Sequence, residues 1–204
     1  MSIQFSVVDT ETTGFDPASG ARVIELAVVR IDAAGNEIAT WSTLINPGTD
    51  NLGATEIHKI TPSMVEEAPK FSDIVGDFIN VVKGSILVAH NARFDVSMLQ
   101  SEFARAGLQW PTMNVADTLS GARKLIPDLG SYKLGALAEH FGISFEGDAH
   151  AALADTRVTA KLYSELLSLS GTVSWPNPDK IEWPKLSPSG KAKQRPKLVD
   201  APMF

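Results

Sequence analysis

Apolar and polar residues alternate at the start of the chain. Ile3, Phe5 and Val7 occupy every second position and lead into Asp9 and Glu11, which predicts a strand over residues 3–9 that ends at a Thr-Thr-Gly turn. Side chains two positions apart on a strand point to the same face, so the two carboxylates project together. Neighbouring carboxylates repel each other unless a cation lies between them. The pair indicates half of a Mg²⁺ or Mn²⁺ site or, alternatively, a strand end that frays into solvent.

The remaining hydrophobic pattern predicts a β-meander followed by alternating helices and strands. A segment rich in Val and Ile over residues 22–31, and residues 37–46 that follow a turn, predict two further strands. The continuous apolar run over residues 85–89 predicts a strand buried on both faces, and residues 115–117 a last short strand. Helices are predicted after Thr61, after Ser72, between the 85–89 strand and Gly107, from Ser131 to Gly142 and over residues 149–169, with residues 47–60 irregular. This order predicts an α/β fold in which helices pack on a mixed sheet.

Composition limits the classes of site that the chain can form. At 204 residues and 44% hydrophobic content, one domain with its own core and a tail is expected. The absence of cysteine excludes disulfides, thiolate zinc sites and a cysteine nucleophile. No signal peptide opens the chain and no apolar run is long enough to span a membrane, so we expect a cytoplasmic protein without membrane contact.

The composition changes after residue 171, and we predict a folded body over residues 1–172 and a Pro/Lys-rich C-terminal tail over residues 173–204. The body carries a charge of −9 and the tail +3. An acidic body argues against tight non-specific binding of duplex nucleic acid, but it is compatible with a nuclease whose bound metals reverse the local sign. The tail is interpreted either as disordered or draped over the surface, or as a peptide that docks a partner or touches nucleic acid with its lysines and tryptophans.

Asp95 follows the buried 85–89 strand and opens the next helix. This position lies over the edge of the sheet, where ligands bind in open α/β folds. The alternative is that Asp95 only stabilises the helix N-terminus.

His150 and Asp155 stand at the start of the last predicted helix. Five residues correspond to about 500° of helix, so the two side chains converge only if His150 lies on the preceding loop. Asp155 follows Ala152, Leu153 and Ala154, where a buried carboxylate without a partner is costly. For His150 the alternative is a surface histidine near a helix start.

The acidic residues suggest one chemistry when they are taken together. Hard oxygen ligands without cysteine suit Mg²⁺ or Mn²⁺ rather than zinc. Two such ions about 3.5–4 Å apart promote in-line attack on a phosphodiester. A histidine with a pKa near neutral can take the proton of the attacking water.

Residues 9–14, 90–95 and 150–155 resemble, in order and separation, the three motifs of the DEDDh exonuclease family. Its relatives include the proofreading epsilon subunit of the bacterial replicative DNA polymerase and oligoribonuclease. The resemblance extends over roughly residues 3–168 and matches every catalytic position, which argues against an inactive relative. It implies an RNase H-like fold, a mixed β-sheet flanked by α-helices, and 3′→5′ hydrolysis that releases nucleoside 5′-monophosphates.

The resemblance also implies roles for individual residues. Asp9, Glu11, Asp95 and Asp155 are expected to bind two Mg²⁺ or Mn²⁺ ions, and His150 to act as the general base.

Four further residues are expected to bind substrate by the same resemblance. Backbone groups around Thr12 and Thr13 are expected to hold the terminal 3′-hydroxyl, and Phe15 to lie near the terminal base. His58 is expected to contact the terminal nucleotide, or alternatively to be a loop residue that precedes the Thr61 cap.

Three functions are compatible with these residues. The first is a 3′→5′ exonuclease on the 3′ ends of single-stranded DNA, in proofreading or repair. The second is the same chemistry on RNA or short oligonucleotides, because ribose differs from deoxyribose by one hydroxyl. The third is a nucleic-acid-binding module, against which the complete set of site residues argues, or a polymerase accessory subunit tethered by its tail, which the tail leaves open.

Overall fold

A mixed sheet forms the centre of the computed structural model, which describes residues 3–145, 151–171, 174–186 and 197–198. Its strands are β1 Gln4–Thr12, β2 Val23–Asp32, β3 Glu37–Leu44, β4 Ile86–Ala89, β5 Val115–Asp117 and β6 Lys197–Leu198. They lie in the order β5-β4-β1-β2-β3-β6. The pairs that β2 forms with β1 and β3, and β3 with β6, are antiparallel, whereas β4 is parallel to β1 and β5. The predicted α/β mixed sheet is confirmed.

Helices cover both faces of this sheet. They are α1 Thr55–His58, α2 Pro62–Val65, α3 Phe71–Val82, α4 Ala92–Arg105, α5 Thr118–Leu125, α6 Leu134–His140 and α7 Ala152–Ser170. Two of them were not predicted. The single turn of α1 lies in the stretch expected to be irregular, and α5 begins directly after β5, where the Asp117 carboxylate accepts from the Leu119 N–H and caps it. Among the described helices, none combines the length and apolar character needed to cross a membrane.

Strand β1 is longer than the hydrophobic alternation predicted. It continues through Thr12 because β2 pairs with it along both carboxylates. Asp9 lies opposite Ala27, and Glu11 lies opposite Glu25. Asp9 and Glu11 therefore belong to a hydrogen-bonded strand and not to a frayed end.

Two predicted helix caps were wrong by one or two residues. Ser72 lies inside α3, whose cap is Lys70; the Lys70 N–H donates to the Asp73 carboxylate over 3.1 Å. For α6 the cap is Lys133, and Ser131 accepts a long 3.4 Å bond from its N–H. Helix ends commonly shift by this much, because several nearby groups can satisfy the first free N–H groups.

The two faces of the sheet bury different residues. Phe5 and Val7 of β1 pack with Tyr163 of α7, whereas Val8 packs with Phe78 of α3 and the neighbouring α4. Asp9 and Glu11 continue the series that begins with Phe5 and Val7, so they face α7. One side of β1 thus carries both its apolar core contacts and its carboxylates.

Residues 174–186 of the tail pack on the body, and Lys197–Leu198 pair with β3 as strand β6. The Trp175 ring lies 5.8 Å from that of Phe5, on the α7 face. The Trp183 ring lies on the opposite face, 6.3 Å from Phe78 and 6.1 Å from Trp110. Both tryptophans bury aromatic surface against the body of the chain. The predicted boundary between body and tail at residue 172 stays a prediction.

Candidate active site

Three carboxylates from distant parts of the chain meet at one end of β1. Asp9 and Glu11 of β1 and Asp155 of α7 each place one carboxylate oxygen within 4.8 Å of the others. This arrangement depends on α7, which packs across β1 and β2 with Asp155 in its first turn. The sequence prediction that these three side chains converge agrees with this geometry.

Asp95 approaches the same cluster from the other side of β1. It lies in the first turn of α4, is 3% exposed, and accepts a 2.8 Å hydrogen bond from the Thr10 hydroxyl. Its oxygens are outside the 4.8 Å group, but its charge is the strongest electrostatic influence on Asp9. Asp9 therefore has carboxylate neighbours on both sides, with Asp95 on one and Asp155 on the other.

The pKa values of these buried carboxylates are raised above their ordinary range. Burial raises the pKa of Asp9 well above its ordinary value, and repulsion from Asp95 and Asp155 raises it further. Burial and then repulsion from Asp155 raise the pKa of Glu11 to about 8. Burial also raises the pKa of Asp95 to about 7, against the lowering effect of the Thr10 hydrogen bond.

These shifts show that the cluster is costly to ionise without added positive charge. A divalent cation held between the carboxylates removes that cost, and hard oxygen donors are the ligands that such cations prefer. Within the described part of the chain, no histidine joins the Asp9–Glu11–Asp155 group. This donor set fits a divalent cation of the Mg²⁺ class better than zinc.

Glu25 is a site residue that the sequence prediction missed. It lies directly opposite Glu11 on β2, and its Oε2 accepts a 3.1 Å bond from the Ala152 N–H at the start of α7. Burial raises the pKa of Glu25, and the Ala152 N–H lowers it. The sequence feature that could have identified Glu25 is a carboxylate between two aliphatic residues, Ile24 and Leu26, which are both fully buried.

Asp117 is a second residue that was missed. Its carboxylate accepts from the N–H groups of Asn91, over 2.9 Å, and Ala92, over 3.3 Å. Asn91 has a left-handed backbone with φ of 63° at the N-cap of α4. Asp117 thus holds the turn that places Asp95 at the cluster. His90, which follows β4, bonds through Nδ1 to the Thr118 hydroxyl over 2.9 Å.

The loop after β1 is anchored through Thr13 and Arg22. The Thr13 N–H donates to the Arg22 carbonyl over 2.9 Å, and the Arg22 N–H donates to the Thr13 hydroxyl over 3.0 Å. The Arg22 guanidinium binds both oxygens of the buried Glu102, at 2.6 and 3.0 Å. Gly53, with φ of 75°, approaches the Thr13 carbonyl too closely to admit a side chain. The nearby Thr12 hydroxyl donates to the Gly14 carbonyl over 2.8 Å.

Phe15 and His58 lie in contrasting environments. Phe15 is 87% exposed, and its ring lies 6.5 Å from that of Phe94. His58 is buried; its Nδ1 accepts from the Ile60 N–H, so Nε2 carries the proton and donates to the Leu52 carbonyl, both over 3.0 Å. The main chain therefore occupies both ring nitrogens of His58, and its nucleotide contact stays a prediction. His150 lies outside the described residues.

Comparison with known proteins places this site in context. A family model described as Exonuclease matches residues 6–163. The chain is 38% identical over 169 residues to the DNA polymerase III subunit epsilon of Treponema pallidum (strain Nichols), covering 81% of this chain and 77% of that protein. It is 31% identical over 174 residues to the 3′-5′ exonuclease DinG of Bacillus subtilis (strain 168), covering 85% of this chain and 18% of that protein.

One solved structure shares the fold at low sequence identity. It is the nuclease domain of 3′hExo, a DEDDh family member bound to rAMP, with a TM-score of 0.73 and 17% identity over 90% of this chain and 98% of that one. This similarity confirms the predicted RNase H-like mixed sheet flanked by helices.

Proposed function

The chain belongs to the exonuclease family and is a 3′–5′ exonuclease, and we propose that it shortens single-stranded DNA from its 3′ end, releasing nucleoside 5′-monophosphates. The observation that carries this proposal is the convergence of Asp9, Glu11 and Asp155 within 4.8 Å. Proofreading or repair is the proposed context, because the first of these relatives is named as a DNA polymerase subunit.

We assign two divalent cations, Mg²⁺ or Mn²⁺, to the four carboxylates. The charges of both Asp95 and Asp155 act on Asp9, which supports its assignment as a residue that would hold these cations. Such cations, when bound, lower the pKa of a water and stabilise the charge on the phosphodiester oxygens during in-line displacement. Burial raises the pKa values of both Glu11 and Asp95, and repulsion from Asp155 adds to the effect at Glu11; positive charge at the cluster would offset this cost.

We assign the general base to His150, which precedes α7 in the sequence by two residues. In this proposal His150 takes a proton from the attacking water as the new oxygen–phosphorus bond forms. The bond between phosphorus and the O3′ of the preceding nucleotide breaks, and solvent protonates that oxygen. The products are a nucleoside 5′-monophosphate and a strand with a new 3′-hydroxyl.

Substrate contacts are proposed at the exposed end of the loop after β1. The exposed Phe15 ring and the neighbouring Phe94 ring offer an apolar surface for the terminal base. We keep Thr12 and Thr13 as the residues near the terminal 3′-hydroxyl, because Arg22 and Gly53 hold this loop in place. The acidic body favours a single strand over a duplex, whose binding depends on phosphate neutralisation.

Digestion of a 5′-labelled 30-mer of DNA and an RNA of matched sequence tests the proposal. With Mg²⁺ or Mn²⁺ we expect a ladder that shortens from the 3′ end of the DNA, and no products with EDTA. The matched control is Asp155→Asn, which keeps the side-chain volume and removes one charge. It should lower the rate by about 10²-fold or more, since even outer-shell changes cost 10–100-fold. Shortening of RNA alone would contradict the DNA substrate, and internal cuts would contradict exonuclease action.

Association with a polymerase is a second proposal, supported by the epsilon subunit among the relatives. Because Trp175 and Trp183 pack on the body and Lys197–Leu198 pair with β3, we assign such a contact to the other tail residues beyond residue 186. Pull-down of a polymerase catalytic subunit by the full chain and by residues 1–186 tests this assignment. Loss of recovery with the shorter chain is expected, and equal recovery would contradict the tail as the contact.

A further inference from the structure

The first N–H group of α7 donates a hydrogen bond to a carboxylate on the sheet. Glu25 Oε2 accepts from the Ala152 N–H over 3.1 Å, and Ala152 is the first residue of the 19-residue helix. The N-cap residue is Ala151, whose methyl side chain cannot accept a hydrogen bond. Helix N-termini leave N–H groups without intrahelical partners, and β2 supplies the acceptor that the local sequence of α7 lacks.

Apart from this hydrogen bond, the surroundings of Glu25 are unfavourable for a carboxylate. Glu25 is partly buried, and the residue opposite it on β1 is Glu11. Like charges directly across an antiparallel pair are destabilising, and partial burial adds to the cost of ionisation. An apolar residue here would relieve both effects but would remove the acceptor of the Ala152 N–H.

The contact determines where Asp155 lies. The Asp155 N–H donates to the Ala151 carbonyl over 3.2 Å, so Asp155 is one helical turn from the residue pair that Glu25 holds. A helix that slides or tilts at this end carries the Asp155 carboxylate away from Asp9 and Glu11. Among the described residues, the carboxylates whose oxygens lie within 4.8 Å of one another include Asp155 but not Glu25. Glu25 therefore lies beside this group.

We infer that Glu25 is a positioning residue that fixes the first turn of α7 on β2 and thereby sets the Asp155 carboxylate at the acidic cluster. It acts through its hydrogen bond to the Ala152 N–H and not as a ligand. This inference rests on the proposed metal-dependent function of the cluster.

The test compares variants that keep and lose the acceptor. Glu25→Gln retains an oxygen that can accept from the Ala152 N–H, whereas Glu25→Ala and the similarly sized Glu25→Met do not. The matched control is Glu37→Ala, which removes the ion pair of Glu37 with Arg157, another partly buried link between the sheet and α7. Circular dichroism and thermal unfolding establish that each variant is folded, and Glu25→Met replaces Glu25→Ala should the latter not fold.

Mn²⁺ binding, followed by the electron paramagnetic resonance signal of the free ion, is the first measurement. We expect Glu25→Ala to bind Mn²⁺ at least about tenfold more weakly, the range found for groups that orient ligands, and Glu25→Gln to lie within threefold of the unaltered protein. Digestion of the DNA 30-mer is the second measurement. Here kcat should fall in Glu25→Ala while KM for the oligonucleotide changes less than threefold, and Glu37→Ala should leave both unchanged.

Two results would overturn the inference. Unchanged Mn²⁺ affinity and kcat in both Glu25→Ala and Glu25→Met would show that α7 needs no anchor there. An equal loss in Glu25→Gln and Glu25→Ala would show that the negative charge matters, as for a ligand. If the unaltered protein binds Mn²⁺ but does not shorten the 30-mer, the proposed function fails while the binding series still tests Glu25.

Discussion

Thr10 and Asp95 are joined by a 2.8 Å hydrogen bond across 85 residues of sequence, and both side chains are buried. Thr10 lies between Asp9 and Glu11 but points to the opposite face of β1, toward α4. One short stretch of strand therefore supplies two carboxylates on one face and holds a third carboxylate from the other.

Substitution Thr10→Val tests this link. Valine matches the shape of threonine but cannot donate, so the pKa of Asp95 should rise further because the Thr10 bond lowers it. A carboxylate that holds its proton more tightly binds cations less well. We expect Mn²⁺ affinity and kcat on the DNA 30-mer to fall about tenfold near pH 7, as for other groups that orient ligands. The control is Thr40→Val, which removes the bond of Thr40 to Glu37 on β3; an effect of equal size there would contradict the assignment.

The stability of the metal-free protein should decrease as pH rises. Glu11, with a pKa raised to about 8, and Asp95, with a pKa raised to about 7, bind protons in the folded state that the unfolded chain releases near pH 4. Their contribution is fully present below the unfolded pKa values and is lost as pH rises through 7 and 8.

Urea unfolding in EDTA at pH 5 and pH 8.5 measures this effect. We expect a lower free energy of unfolding at pH 8.5, and a smaller difference for Glu11→Gln, which removes one of the titrating groups. Saturating Mg²⁺ should restore stability at pH 8.5 because the cation binds the ionised cluster of the folded state. A metal-free protein that gains stability over this pH range would contradict the raised pKa values.

The Arg22–Glu102 ion pair should contribute strongly to stability. Glu102 is 1% exposed and binds the guanidinium through both oxygens. Glu102→Ala leaves the largely covered Arg22 charge without its partner, which we expect to lower the free energy of unfolding by about 3 kcal/mol. Chemical denaturation measures it. Glu37→Ala breaks a more exposed pair with Arg157 and should cost less than about 1 kcal/mol; equal costs would contradict the importance of burial.

His150→Ala should slow hydrolysis most near neutral pH, where an imidazole changes protonation state. A general base contributes about 10²–10⁴-fold, so we expect kcat to fall by at least about a hundredfold at saturating metal. The control is His140→Ala, because His140 is an exposed residue at the end of α6 without a motif. A loss below threefold for His150→Ala, measured from the pH profile of kcat, would place the base elsewhere.

Much of the fold could be predicted because its signals are local. The alternation of Phe5 and Val7 with polar neighbours, and the apolar run over residues 86–89, identify strands within a few residues. The same alternation places Asp9 and Glu11 on one face without any knowledge of tertiary structure. Helix α5 was missed because it is only eight residues long and its N-cap, Asp117, is the last residue of the preceding strand β5.

The sequence by itself determined the strand periodicity, the acidic pair on β1 and the donor chemistry that suits a hard divalent cation. Tertiary structure alone decided that Asp155 joins that pair, that Glu25 holds the start of α7, and that Trp175 and Trp183 pack on the body. The reason is physical: the first group depends on neighbours within a few residues, whereas the second depends on contacts between segments that meet only after the sheet and helices have assembled.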